Sequence, residues 1–135
     1  MPPQTAGTLG RWASQASGTS NELKSVDFAA DGRHGWAVGF GGVILATSDG
    51  GRTWAPQASG TSKALKSVDF ASNGRRGYAV GYGGTILTST DGGKTWLSQS
   101  SGTPNLLNAV DAVANTRRGW VVGFGGKILT SAPAS

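Results

Sequence analysis

The residues best equipped for chemistry recur in threes. Arg33-His34, Arg75-Arg76 and Arg117-Arg118 stand 42 residues apart, and so do Asp27, Asp69 and Asp111. Guanidinium groups bind carboxylates and phosphates through paired hydrogen bonds. A set of carboxylates can hold a cation. It can equally accept hydrogen bonds from neighbouring strands or from Lys24 and Lys66, whose third counterpart is Asn108. Composition excludes much else. The chain has no Cys and a single His. Disulfides, thiolate metal sites and histidine metal sites are therefore ruled out, and no cofactor or metal is expected.

These residues need a scaffold that repeats with them. Trp12, Trp54 and Trp96 mark the period, as do Gly39-Phe40-Gly41-Gly42, Gly81-Tyr82-Gly83-Gly84 and Gly123-Phe124-Gly125-Gly126. The copies run approximately 12–53, 54–95 and 96–135 within one segment, 1–135. A 42-residue period with strand-type patterning and 23 Gly suggests four-stranded propeller blades. Helical repeats of that length would need amphipathic Leu/Ala runs, and none is present.

In chain order, residues 12–17 read as an outermost strand and Ser17-Gly18-Thr19-Ser20 as a link between blades. Residues 23–28 alternate with period two and form the expected innermost strand. Residues 30–35 are a turn, 36–40 a second strand and 43–47 an apolar third strand. Gly39, Gly41 and Gly42 suit a sharp turn where backbones approach closely. The third copy ends on its third strand at Ile128-Leu129-Thr130-Ser131.

The third and fourth strands are joined by Thr47-Ser48-Asp49-Gly50-Gly51-Arg52-Thr53-Trp54, repeated as Ser89-Thr90-Asp91-Gly92-Gly93-Lys94-Thr95-Trp96. Asp49 and Asp91 can accept hydrogen bonds from their own turns, and Gly51 and Gly93 supply positive φ. Thr53 and Thr95 complete a [Ser/Thr]-x-Asp-x-Gly-x-Thr-Trp pattern, which is an Asp-box as in BNR repeats. With the Gly-Trp-Ala-Val-Gly-Phe-Gly-Gly type of strand pair, the chain resembles the photosystem II stability/assembly factor-like family of BNR propellers. The resemblance implies an all-β propeller and a non-enzymatic role as binding platform or assembly factor. The high mutual similarity of the copies fits a recent duplication or a designed protein. Sialidases also carry Asp-boxes, which raises a glycosidase reading. It would need a Tyr nucleophile, but Tyr78 and Tyr82 interchange with Trp36, Trp120, Phe40 and Phe124, as packing residues do.

Three blades cannot close a ring, because propellers have typically 4–8. The Asp-box is interrupted where the repeat frame meets the ends: Gly7 and Pro133 occupy its Asp position. The expected solution is head-to-tail homo-oligomerisation. Trp12, Ala13, Ser14 and Gln15 of one copy would pair with Lys127, Ile128, Leu129 and Thr130 of another. A homodimer with six blades, one fewer than the family's usual seven, is the favoured closure; a homotrimer with nine, two more, is the alternative.

The leading expectation is thus a self-assembling, non-catalytic scaffold. The alternative is a module that binds glycans or acidic partners, with a sialidase-like enzyme last. The net charge of +5 and the ring of Arg33, Arg75, Arg76, Arg117 and Arg118 suit an acidic protein surface. Nucleic acid is not expected, because the aromatics look committed to packing. Phe40, Tyr82 and Phe124 could stack against a glycan or plug the spaces between blades, with Asn21-Glu22, Lys63 and Asn105 varying beside them. No signal peptide or membrane span is legible, so a soluble cytoplasmic protein is the default expectation.

Overall fold

The computed structural model describes residues 11–113 and 118–131. Among these residues eleven strands form three antiparallel sheets: β1 (Leu23–Phe28), β2 (Gly35–Gly39), β3 (Ile44–Thr47) and β4 (Ala55–Gln57); β5 (Leu65–Phe70), β6 (Gly77–Gly81), β7 (Ile86–Ser89) and β8 (Leu97–Gln99); and β9 (Leu107–Ala112), β10 (Gly119–Gly123) and β11 (Lys127–Thr130). Strand order within each sheet follows the chain, so every connection is a hairpin. These are propeller blades, with β1, β5 and β9 meeting one another as neighbouring inner strands. Among the described residues no helix is long and apolar enough to cross a membrane.

Each inner strand slips register against its partner, between Leu23 and Ser25 and between Leu65 and Ser67, and in the third blade between Val122 and Gly123. Lys24, Lys66 and Asn108 therefore sit at bulges. After β2 and β6 a short 3-10 turn carries Gly41 at φ 74° and Gly83 at φ 68°. Gly42 and Gly84 lie so close to the carbonyls of Thr61 and Thr103 that a Cβ would collide with the passing link. Those links are held by Ser59 and Ser101, whose Oγ donates to Thr61 O and Thr103 O at 3.0 Å.

The core lies between blades. Trp36, Val38 and Ile44 of the first blade cluster with Leu65, Val68, Phe70, Leu87 and Trp96 of the second. Tyr78 and Val80 then cluster with Leu107, Val110 and Val121 of the third. The two faces that point away from these junctions are bare. Val26 is 60% exposed where its equivalent Val68 is 4%, and Ile128 is 69% exposed where Ile44 is 1%.

Within the single chain residues 12–17 form no strand, and Trp12 is fully exposed. A strand needs a ladder partner, and among the described residues no strand pairs with this segment; the partner expected for it, residues 127–130, belongs to another copy. One expectation is corrected: Phe40, Tyr82 and Phe124 do not fill the spaces between blades but are 40%, 43% and 61% exposed, each at the start of the 3-10 turn that leaves its sheet.

Candidate functional site

The two Asp-box turns are closed hydrogen-bond circuits. Asp49 Oδ1 accepts from Thr47 Oγ1 (2.7 Å) and Thr53 N (2.9 Å), and its Oδ2 accepts from Thr53 Oγ1 (2.6 Å). Asp91 does the same with Ser89 Oγ (2.9 Å), Thr95 N (3.0 Å) and Thr95 Oγ1 (2.6 Å). Thr47 and Ser89 accept in turn from the amides of Gly51 and Gly93. The indoles of Trp54 and Trp96 donate back to Gly51 O and Gly93 O at 3.0 Å. Donors aimed at the carboxylates favour their charged form. The Thr95 hydroxyl, with the Thr95 amide, lowers Asp91 to about 2, and the Thr53 hydroxyl holds Asp49 far below the ordinary carboxylate range.

The basic turns lie against these circuits. Gly50 N donates to Arg33 O and Gly92 N to Arg75 O, both at 2.9 Å, so the two turns of a blade form one unit at the same end. Between the first and second blades this leaves a groove of about 450 Å³ lined by Asp31, His34, Asn73, Arg75, Asp91 and Lys94, with Gly74 and Gly92. Both of its carboxylates are already used. Asp31 accepts from His34 Nδ1 (2.8 Å) and from the amides of Arg33 and His34, and the His34 contact chiefly lowers it to about 2. Asp91 is spent inside its Asp-box. Among the described residues, Arg75 and Lys94 have no carboxylate within ion-pair distance.

Arg33 and Arg75 are exposed, whereas Arg76 and Arg118 are half-buried; Arg117 falls outside the described residues, as do Gly7 and Pro133. The sequence reading missed Arg52 and Lys94 as members of the basic set. Both are exposed in Asp-box turns, and their 42-residue spacing was the available signal. Lys94 belongs to the second blade yet shares a groove with His34 of the first.

The repeated aspartates serve the junctions. Asp27 Oδ2 accepts from Phe70 N (2.7 Å) and Asp69 Oδ2 from Ala112 N (2.6 Å). Ser25 and Ser67 accept from Val68 N and Val110 N at 3.2 Å. Asp69 is pushed up to about 7, mainly by desolvation and further by Asp27 and Asp111, against the Ala112 amide that favours its charge. Lys24 turns away from this row toward Glu22 (3.3 Å) and the Phe40 ring (5.8 Å). On the opposite rim, Asn21 and Asn105 donate to the carbonyls of Phe40 and Phe124 at 3.2 Å, while Lys63 lies along Gly83.

Residues 5–116 match the family described as photosynthesis system II assembly factor YCF48. The fold is similar to a solved structure described as YCF48 bound to D1 peptide, with 28% identity and a TM-score of 0.73 over 84% of this chain and 38% of that one. It is also similar to YCF48 from Cyanidioschyzon merolae, with 34% identity and a TM-score of 0.72 over 84% of this chain and 34% of that one. The chain thus spans little over a third of the length of these solved relatives. No curated protein matches it.

Proposed function

The chain belongs to the photosynthesis system II assembly factor YCF48 family, and on that premise we propose that it is a non-catalytic propeller module that binds a carboxylate-bearing protein segment on its basic turn face. The observation that carries this reading is the groove between the first two blades. Its carboxylates stay ionised but their oxygens are engaged by His34 and by the Asp-box, while among the described residues Arg75 and Lys94 have no carboxylate within ion-pair distance and can meet a ligand's. Arg33 and Arg52 extend the same basic end along the first blade. An acidic strand or a C-terminal carboxylate is the ligand class that matches fixed guanidinium and ammonium groups. One solved relative holds a D1 peptide, which makes that peptide the first ligand to try.

The test is fluorescence anisotropy with a labelled D1 peptide at low and high salt. Arg75→Glu combined with Lys94→Glu is expected to weaken binding about tenfold or more and to flatten its salt dependence. Unchanged affinity in the double variant overturns the assignment.

A second reading is a scaffold completed by other copies of the chain. The bare apolar faces of the first and third blades favour it, because patches of that kind mark interaction surfaces.

A further inference from the structure

We propose that a second copy of this chain docks its first blade on the outward face of the third blade, and that its Trp12 segment enters beside β11 as the outer strand. This rests on the scaffold reading and gives it atomic content. The two bare faces are the two halves of a junction that the chain already builds twice, so the occupant is read from the chain itself.

Each feature of an internal junction has its half on one bare face. In the first junction Trp36 stacks on Phe70, with centroids 3.5 Å apart and planes within 9°, and its indole donates to Gly92 O at 2.9 Å. The same register places Trp120 on the third blade and Phe28 and Gly50 on the first. Trp120 is 42% exposed and Phe28 37%. Phe28 already meets Trp54 edge-on, as Phe70 meets Trp96. Asp27 and Asp69 accept from Phe70 N and Ala112 N; Asp111 is the equivalent acceptor for Phe28 N of the next copy. Gly42 and Gly84 press on Thr61 O and Thr103 O, whereas no atom approaches the Cβ position of Gly126. The carbonyl that fits there is that of Thr19. Its link is already shaped for the contact, with Ser17 Oγ donating to Thr19 O at 3.0 Å as in the other two links.

The outer strand has a matching place. Trp96 is buried in a cluster with Trp36, Ile44, Ala79 and Leu87. The equivalent positions around the third blade, Tyr78, Ile86, Val121 and Leu129 with Gly119, line a cavity of about 310 Å³ bounded by Thr130. Trp12 is the third tryptophan of the series, and it stands fully exposed in a segment with no ladder partner. A head-to-tail contact of this kind is heterologous, so it propagates until the ring closes.

The experiment is light scattering coupled to size exclusion on the 135-residue chain and three variants. The wild type is expected as a discrete oligomer, about 27 kDa for two copies or about 41 kDa for three, as multiples of the 13.6 kDa chain. Val26→Glu and Ile128→Glu each place a carboxylate on one bare face and are expected at the monomer mass with unchanged circular dichroism. Mixed in equal amounts, they retain one intact pair of faces and are expected to form a 1:1 dimer. Trp12→Ala is expected to weaken assembly about 100-fold. A monomeric wild type, a charged-face variant that keeps the full oligomer mass, or a mixture that stays monomeric overturns the docking. Wild-type assembly strength in Trp12→Ala overturns the strand insertion. Peptide binding does not enter these readouts, so the basic-face assignment stands or falls separately.

Discussion

The junction between the first and second blades and that between the second and third share a polar clasp but not an aromatic filling. In both, a Ser and an Asp of one inner strand accept backbone amides of the next, from Ser25 and Asp27 in the first case and Ser67 and Asp69 in the second. In the first, Trp36 lies flat on Phe70 and ties its indole to Gly92 O. In the second, Tyr78 takes the place of Trp36, and Ala112 stands where Phe70 would be. Directional hydrogen bonds fix how one blade sits on the next. The apolar filling sets how strongly it is held, because burial scales with area.

The largest effect expected from this contrast is at the aromatic stack. Trp36→Ala is expected to cost about 3–5 kcal/mol by chemical denaturation. Tyr78→Ala is expected to cost less, because Ala112 offers the Tyr78 ring less apolar area than Phe70 offers Trp36. Equal losses would break the comparison. A smaller effect is expected from Ser89→Ala. The Ser89 hydroxyl holds the Gly93 amide and the Asp91 carboxylate in the turn that presents Gly92 O to Trp36. Its loss leaves a buried amide without an acceptor, at about 1–3 kcal/mol. The same denaturation curve reads it, and a cost near zero would detach the Asp-box from the junction.

The smallest effect is a pH dependence that separates the clasp from the turns. Asp69, raised to about 7, binds a proton in the folded state that it has lost in the unfolded chain. Its contribution is therefore present below about pH 4 and is lost as pH rises toward 7. Asp31 and Asp91, lowered to about 2, act with the opposite sign: their contribution is present above about pH 4 and lost as pH falls toward 2. Thermal melts should show a stability maximum between these windows. Asp69→Asn should raise the melting temperature at pH 8 and leave it unchanged at pH 4. A flat profile above pH 4 in the wild type would remove Asp69 as the cause.

The strands, the turns and the family were legible in the sequence because their determinants are local. An Asp-box closes its hydrogen bonds within eight residues, from Thr47 to Trp54. Alternation in β1 and the glycines of the 3-10 turns act over similarly short distances. The basic groove was half legible. The repeated Arg pairs stood out, but Lys94 and His34 share a groove only because neighbouring blades bring them together. The exposure of Phe40, Tyr82 and Phe124 was not legible, since an aromatic in a Gly-rich turn reads the same whether its ring faces a blade or the rim.

The sequence by itself determined the repeat, its all-β blades and the chemistry each turn carries. Only the tertiary structure decided which copies are covered. Trp36 and Trp120 occupy the same register in closely similar strands, yet one is 1% exposed and the other 42%. Local patterning specifies a side chain's direction from the sheet, but burial depends on what lies across the junction, and that is a property of the neighbouring blade.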